Sequence, residues 1–319
     1  MPRQCALPPI WACLEGKVQY VQRVSHKEFC CTCPSCGGQV HESGEWPDRC
    51  RLFVDDHPTL FCRRCGLVSF PDKLGAQPIK PQALVTWHKE QEQRELARKR
   101  SAERALEHLR STKIWERYHE ALGETGRAYW QHRGISPSAQ DFWQLGWRER
   151  WSFTQADGSV YQTPSATIPL FGPNWVAKNV KHRLIQPPPN RGKYIYELYG
   201  QRHQLFLCQP DKPLKGKVIA CEGEIKSMIT QLHLGGRELV VGLPGTNPGK
   251  EALKELADCE RIVLVMDPGS EEQAHRLGVQ LGRERCRILV TPVKIDDGIV
   301  AANLTQRELQ GLLRTAVPA

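Results

Sequence analysis

Two pairs of cysteines near the start of the chain have the spacing of a metal site. Cys33 and Cys36 are separated by two residues and followed by glycine, and Cys62 and Cys65 repeat this arrangement. Two such knuckles supply four thiolates that converge tetrahedrally on one zinc ion, and the glycine permits the tight turn of each knuckle. We therefore predict a structural Zn²⁺ bound by these four cysteines.

The crowding of the cysteines favours metal over disulfides. Nine of the thirteen cysteines lie within the first 65 residues. The start of the chain lacks the apolar core of a signal peptide, so we expect a cytoplasmic protein whose thiols stay reduced. Three more cysteines lie near the knuckles, namely Cys30, Cys31 and Cys50. Cys30 and Cys31 have no flanking glycine, which favours cysteines that do not bind the metal. It stays open whether one of the three replaces a zinc ligand or whether they form a second metal site.

Carboxylates follow predicted strands in the second half of the chain. Apolar runs predict strands at residues 217–221, 238–243, 261–266 and 286–290. Glu222 follows the first strand, Asp267 the third, and Asp296 and Asp297 come soon after the fourth. In an open parallel sheet the carboxyl ends of the strands form the ligand crevice, and hard oxygen ligands suit Mg²⁺ or Mn²⁺. One such acid is usually a helix cap, but three sites favour a metal site.

Positive charge is concentrated just before these strands. Residues 174–203 contain one acid, Glu197, and six basic residues, which are Lys178, Lys181, Arg183, Arg191, Lys193 and Arg202. Ammonium and guanidinium groups in such a segment bind phosphates. On a regular strand Lys178, Lys181 and Arg183 do not share one face, so a bulge or turn is needed to bring them together. An ordinary solvated basic hairpin is the alternative interpretation.

The elements that position these groups predict an α/β protein of several parts. Short strands between the knuckles are typical of a zinc ribbon, prolines mark a linker near residue 80, and residues 82–122 predict a solvated charged helix. We predict a zinc-ribbon domain at 1–75, a linker and charged helix at 76–122, a basic α+β subdomain at 123–212, an α/β domain with a mostly parallel sheet at 213–300, and a short helical tail at 301–319.

Composition limits the classes of protein to which the chain can belong. Its 319 residues are 40% hydrophobic and 25% charged, which excludes collagen, a coiled coil and wholesale disorder. No apolar run reaches the ~18 residues needed to span a bilayer, so no membrane partner is expected. The formal net charge of +9 favours a polyanionic partner.

Two motifs before the basic segment carry a family resemblance. Residues 129–136 have the pattern Tyr-x-x-x-Arg-Gly-Ile-Ser, and residues 142–147 have the pattern Phe-x-x-Leu-Gly-Trp. These motifs resemble the start of the polymerase core of bacterial DnaG-type primases, a family in which a zinc ribbon precedes that core. The order of strands and acids from about residue 215 to 300 resembles the TOPRIM domain, which these primases share with topoisomerases, OLD-type nucleases and RecR-type recombination mediators.

The resemblance implies roles for the residues identified above. Glu222 matches the TOPRIM glutamate, a general acid/base or metal partner, and Asp267 matches the first aspartate of the Asp-x-Asp motif. Asp296 or Asp297 matches a later metal-binding aspartate. The basic segment is similar to the primase ridge that holds template phosphates and the incoming ribonucleoside triphosphate. Arg183, Lys193 and Tyr194 match positions of that ridge, and the same segment also contains Lys178 and Lys181.

Two positions depart from the family pattern. Gly269 stands where the family has the second aspartate of Asp-x-Asp, and Lys226 stands where primases have an acid four residues after the glutamate. Two lost carboxylates and one added ammonium are expected to weaken binding of a second divalent ion, because clustered anions offset the ion's dehydration. The acids available to compensate are Glu224, Glu271 and Glu272.

Together these features predict a DNA primase-like enzyme, a DNA-directed RNA polymerase of primase type. It would synthesise short RNA primers on single-stranded DNA by Mg²⁺-dependent nucleotidyl transfer, and its brevity points to a mobile element. The tail after residue 300 is too short for the helicase-binding domain of full-length primases, so contact with a separate replicative helicase would use another region. The alternatives are an inert DNA-binding adaptor similar to RecR-type proteins and, third, a TOPRIM nuclease.

The cysteine spacing makes a prediction about metal content. Elemental analysis of freshly purified protein should find one equivalent of zinc, and less than about half an equivalent would contradict a four-thiolate site. Cys36→Ser or Cys65→Ser should unfold the ribbon while residues 213–300 stay folded, because the proline-rich linker separates the two. Circular dichroism and limited proteolysis would measure this.

Overall fold

The computed structural model describes most of the chain. The described residues are 5–25, 27–36, 50–55, 57–63, 65–74, 81–154, 158–188, 192–198, 204–245 and 248–319, without the side chains of 81–88 and 91. Two compact units are present, residues 1–100 and residues 101–319. The predicted division at residues 75, 122, 212 and 300 stays a prediction, and Arg191 and Arg202 of the basic segment lie outside the described residues.

The first unit contains an antiparallel sheet with neighbours in chain order. Its strands are β1 (Gln22–Arg23), β2 (Glu28–Cys31), β3 (Cys50–Phe53), β4 (Leu60–Cys62) and β5 (Val68–Ser69). A 3₁₀ turn at Pro9–Leu14 places Trp11 in the core, where its indole N–H donates to the Phe53 carbonyl at 3.0 Å. Leu52 and Leu60 complete this small apolar cluster. The zinc-ribbon prediction is confirmed at the level of the fold.

The second unit begins with helices that lead into an antiparallel sheet. The helices are α1 (Pro81–Thr112, which starts in the first unit), α2 (Ile114–Glu120), α3 (Gly123–His132) and α4 (Pro137–Phe142). The strands are β6 (Gly146–Thr154), β7 (Val160–Phe171), β8 (Ala177–Leu184) and β9 (Tyr194–Tyr196), with neighbours in chain order. The Ser136 hydroxyl caps α4 by accepting from the Ala139 N–H, and Pro137 fills the first helical position.

A six-stranded, mostly parallel sheet follows. Its elements are β10 (Phe206–Leu207), β11 (Gly216–Glu222), α5 (Glu224–His233), β12 (Leu239–Leu243), α6 (Lys250–Glu255), β13 (Cys259–Met266), α7 (Glu271–Leu281), β14 (Cys286–Val290), α8 (Ile295–Val300), α9 (Gln306–Arg314) and β15 (Val317–Pro318). The strand order is β10-β12-β11-β13-β14-β15, with the four central strands parallel and both edges antiparallel. The predicted α/β class is confirmed.

Buried apolar residues explain why these runs form a sheet covered on both faces. Ile219 and Met228 belong to one core cluster, which also includes Ile168 of the antiparallel sheet, and Val218 and Leu264 belong to a second cluster. Alternate residues of β11 therefore point into different cores, as a central strand of a parallel sheet requires. No helix in the described part of the chain is long and apolar enough to cross a membrane.

Two elements differ from the sequence prediction. The charged helix is interrupted at Lys113, whose φ of 45° is left-handed, and α2 starts at Ile114. This break lets Trp115 pack edge-on against Phe171, with the ring centroids 5.8 Å apart. Helix propensity, which is assigned residue by residue, does not include the burial gained from such a distant contact. The tail is also more than helical, because its last residues add β15 beside β14.

A buried polar network joins α2 to the antiparallel sheet. His182 is fully buried, with Nε2 2.7 Å from Glu197 Oε2 and Nδ1 3.1 Å from Ser165 Oγ. The Tyr118 hydroxyl also donates to Glu197, at 3.2 Å. Burial by itself raises the pKa of Glu197, but the hydrogen bond and charge of His182 outweigh it and hold that pKa below its usual value of 4.5.

This network predicts a pH-dependent contribution to stability. Because the folded-state pKa of Glu197 is depressed, its contribution is present above the usual value of 4.5 and is lost as the pH falls through the folded-state pKa. Glu197→Gln should therefore lower the free energy of unfolding at pH 7 by about 1–3 kcal/mol and reduce the further loss on acidification. Urea unfolding of both proteins at several pH values measures this, with exposed Glu124→Gln as the matched control. Equal acid sensitivity of the Glu197→Gln protein and the wild type would contradict the assignment.

Candidate functional site

The four knuckle cysteines converge in the structure. Their sulfur atoms all lie within 4.8 Å of one another, with Cys33 Sγ 3.7 Å from Cys65 Sγ and Cys36 Sγ 3.8 Å from Cys62 Sγ. Zinc–sulfur bonds of about 2.3 Å in a tetrahedron place sulfurs about 3.8 Å apart, so the donor set fits Zn²⁺. The Ser35 N–H donates to Cys33 Sγ at 3.4 Å, as a knuckle turn requires.

The three extra cysteines lie outside that group. Cys31 and Cys50 are opposite one another on β2 and β3, and both are buried in the ribbon core. The neighbouring Cys31 thiol and burial raise the pKa of Cys50 well above its usual value, which keeps a thiol in the neutral form. Cys30 is also buried. The interpretation that these three cysteines do not bind the metal stays a prediction.

Parallel pairing brings Glu222 and Asp267 together at the carboxyl edge of the sheet. Cys221 of β11 is opposite Val265 of β13. Glu222, the last residue of β11, and Asp267, which directly follows β13, are therefore side by side. The Asp267 backbone N–H donates to Glu222 Oε2 at 3.5 Å. Both side chains are partly exposed.

Asp296 and Asp297 lie in the first turn of α8, which packs against α5. Asp296 is buried, and its Oδ1 has no hydrogen-bond partner among the described residues, whereas Asp297 is exposed. Within the part of the chain described here, the cysteine cluster is the one group of three or more metal-ligating atoms within 4.8 Å of each other. Glu222, Asp267 and the two α8 aspartates are thus near one edge without forming a closed ligand cage.

A lysine lies among these acids. The Lys226 Nζ contacts Asp267 Oδ2 at 2.5 Å, and the two side chains are 15% and 17% exposed. Gly269 has a left-handed φ of 79°, and no atom lies within 4 Å of the position that a Cβ would occupy there. A carboxylate at Gly269 would have space but would carry backbone strain.

Lys181 forms a buried ion pair. Its Nζ lies 2.6 Å and 2.7 Å from the two carboxylate oxygens of Glu224, and the side chains are 6% and 2% exposed. Burial lowers the pKa of Lys181, but the Glu224 carboxylate more than offsets it and raises that pKa. The ammonium is therefore turned into the protein, and the Glu224 carboxylate is occupied by this ion pair.

The other basic residues of the segment are more accessible. Lys193 and Tyr194 are exposed, and Arg183 is half-buried, with Nη1 donating to the Tyr194 hydroxyl at 2.8 Å. Lys178 contacts Glu255 at 2.8 Å. The register of β7 and β8 shifts so that Lys178 is an extra residue in its strand, but Lys178, Lys181 and Arg183 contact different partners.

Sequence reasoning missed the partners of Lys181 and Lys226. Both partners are more than 40 residues away along the chain, at separations of 43 and 41 residues. One signal was available for Lys181, because Val180 and His182 beside it are also fully buried. A lysine inside a strand covered on both faces needs a carboxylate partner.

Comparison with known proteins gives one kind of match. No protein-family model and no curated sequence matches the chain. The zinc-binding and RNA polymerase domains of Aquifex aeolicus primase match with a TM-score of 0.55 and 15% identity, over 98% of this chain and 84% of that one. A DnaG primase catalytic domain bound to ssDNA matches with a TM-score of 0.55 and 14% identity, over 68% of this chain and 83% of that one.

The fold is that of the DnaG-type primases. A primase domain from Pseudomonas aeruginosa adds a third match, with a TM-score of 0.53 and 15% identity, over 65% of this chain and 78% of that one. The Aquifex match includes the ribbon, so the predicted order of zinc ribbon and polymerase-like core in the DnaG-type fold is confirmed. Sequence identities of 14–15% support a shared fold and nothing about the roles of individual residues.

The basic segment makes a prediction about binding to single-stranded DNA. Removing a phosphate contact lowers the salt slope by about 0.7 on single strands, so Lys193→Ala and Arg183→Ala should each show such a decrease. Lys181→Met should leave the slope unchanged and destabilise the protein by about 3–5 kcal/mol, because it leaves Glu224 buried without a partner. Fluorescence anisotropy at several salt concentrations and urea unfolding measure the two effects. Exposed Lys217→Ala is the control, and an unchanged slope for both Lys193→Ala and Arg183→Ala would mean an ordinary solvated hairpin.

Proposed function

We propose that the chain is a primase-like nucleotidyltransferase that makes short RNA primers on single-stranded DNA. The observation that carries this proposal is the position of Glu222 and Asp267 at the carboxyl edge of a parallel sheet, in a chain whose fold matches both the zinc-binding and the RNA polymerase domains of a primase. Residues 213–300 would then be a TOPRIM domain. One matched primase catalytic domain is bound to ssDNA, which supports the same partner here.

Each group has a part in the proposed reaction. The ribbon, exposed Lys193 and half-buried Arg183 hold the template backbone and the triphosphate through charge-assisted contacts. Tyr194 adds an aromatic ring beside them, with Arg183 Cζ 5.6 Å from its centroid. In this proposal Glu222 accepts a proton from the attacking 3′ hydroxyl of the ribonucleotide.

The carboxyl edge also fits a divalent ion. The unpartnered, buried Oδ1 of Asp296 is the observation that favours it, because a buried carboxylate oxygen requires a donor or a cation. Glu222, Asp296 and Asp297 would hold Mg²⁺ or Mn²⁺, with Asp267 beside them. When bound, the ion supplies positive charge that stabilises the pentavalent phosphorus and the departing pyrophosphate.

A second candidate is an inert DNA-binding adaptor, and the Lys226–Asp267 ion pair favours it. That pair neutralises a carboxylate that the proposed chemistry uses. An adaptor needs the ribbon and the basic segment but not the acids. Activity is therefore the property that separates the two candidates.

Primer synthesis tests the proposal. Labelled ribonucleotides on mixed single-stranded templates should yield short RNA only with Mg²⁺ or Mn²⁺. Glu222→Gln and Asp267→Asn should each lower the rate by at least about 100-fold, because each keeps side-chain size and removes negative charge from the edge that would hold the divalent ion. DNA binding should stay unchanged, and exposed Asp258→Asn is the matched control.

The outcome assigns one of the two functions. If the wild-type protein makes no primer on any template with either metal, while both variants fold and bind DNA as it does, the enzymatic proposal is wrong. The adaptor function then takes its place.

A further inference from the structure

Lys226 lies where a cation is electrostatically unfavourable. It is the third residue of α5, within the first helical turn. The unpaired N–H groups of that turn carry partial positive charge, which opposes an ammonium and attracts an anion. A lysine in this position therefore needs a strong anionic partner.

Asp267 is that partner. The ammonium and the carboxylate are 2.5 Å apart, and both side chains are largely screened from solvent. Asp267 in turn has its backbone N–H directed at Glu222. The lysine thus places an ammonium group at the edge where two strand-end acids meet.

Asp296 is a buried acid of α8. It is 8% exposed, and its Oδ1 has no donor among the residues that the structure describes. Asp296 lies in the first turn of α8, and α8 packs against α5, the helix that carries Lys226. Lys226, which pairs with Asp267, and Asp296 are therefore on two helices in contact, and one ammonium accompanies two carboxylates there.

We propose that Lys226 is a built-in cation that occupies the Asp267 carboxylate, so that this edge binds one divalent ion, with Asp296 as its buried ligand. The inference rests on the proposed function only in taking this edge as the metal site. It gives Lys226 a positioning role, since the ammonium holds Asp267 and excludes a second ion by charge repulsion.

Removing the charge of Lys226 should open the second position. Lys226→Met keeps the length and apolar stem of the side chain and frees the Asp267 carboxylate for a metal. Lys226→Arg keeps the positive charge and should behave as the wild type. Lys217→Met is the matched control, because Lys217 lies at the opposite end of β11 in an exposed pair with Glu238.

Binding of Mn²⁺ to the zinc-loaded full chain, without DNA or nucleotide, tests the inference by calorimetry and electron paramagnetic resonance. The wild type should bind one Mn²⁺, and Asp296→Asn should lose it. Lys226→Met should bind a second Mn²⁺ or bind the first about tenfold more tightly or better, because a like charge beside the ion has been removed. Lys226→Arg and Lys217→Met should match the wild type.

Three results would overturn the inference. These are two Mn²⁺ ions on the wild type, unchanged Mn²⁺ binding in Lys226→Met, or full Mn²⁺ binding in Asp296→Asn. Circular dichroism checks the folding of each variant, and Lys226→Gln replaces Lys226→Met if that protein does not fold. Absence of primer synthesis together with the expected Mn²⁺ binding would reject the proposed function and leave this inference standing.

Discussion

The parallel pairing of β11 with β13 is the constraint on which the candidate site depends. It places the ends of two strands, and with them Glu222 and Asp267, side by side although 45 residues separate them. Gly223, with a φ of 90°, allows α5 to start directly after β11. That turn fixes the directions of Glu224 and Lys226, so the strand register determines both ion pairs that surround the site.

The parts that sequence predicts well are those with a local signal. The spacing of the two Cys-x-x-Cys pairs is set by the geometry of a metal site, and the apolar runs follow the periodicity of strands. Neither signal depends on residues far away along the chain. The break at Lys113 was not predictable in this way. It is stabilised by Trp115 packing on Phe171, a contact 56 residues away, which outweighs the favourable helix propensity of the surrounding segment.

Charge counting has the same limit in the basic segment. Six basic residues against one acid predict a surface for phosphates, but the count treats every ammonium as solvated. Lys181 is buried against Glu224, and Lys178 contacts Glu255, so both are neutralised by acids from outside the segment. The sequence pattern therefore predicts the location of the basic surface better than it predicts which of its members face solvent.

Lys226 also changes the balance of charge at the carboxyl edge of the sheet. It supplies a positive counter-ion to the Asp267 carboxylate, so that Asp267 is not left as an uncompensated negative charge. The edge keeps an ordered arrangement of charge with fewer acids. Weak resemblance to a two-metal pattern is thus compatible with a well-organised site.

The buried pair of Lys181 and Glu224 has an evolutionary consequence. It joins β8 to α5, and a change at either position alone would leave one charge without a partner in an apolar environment. A change of both to neutral residues of similar size removes that cost. The two positions should therefore have been substituted together during divergence, and a relative with an uncharged residue at one should have an uncharged residue at the other.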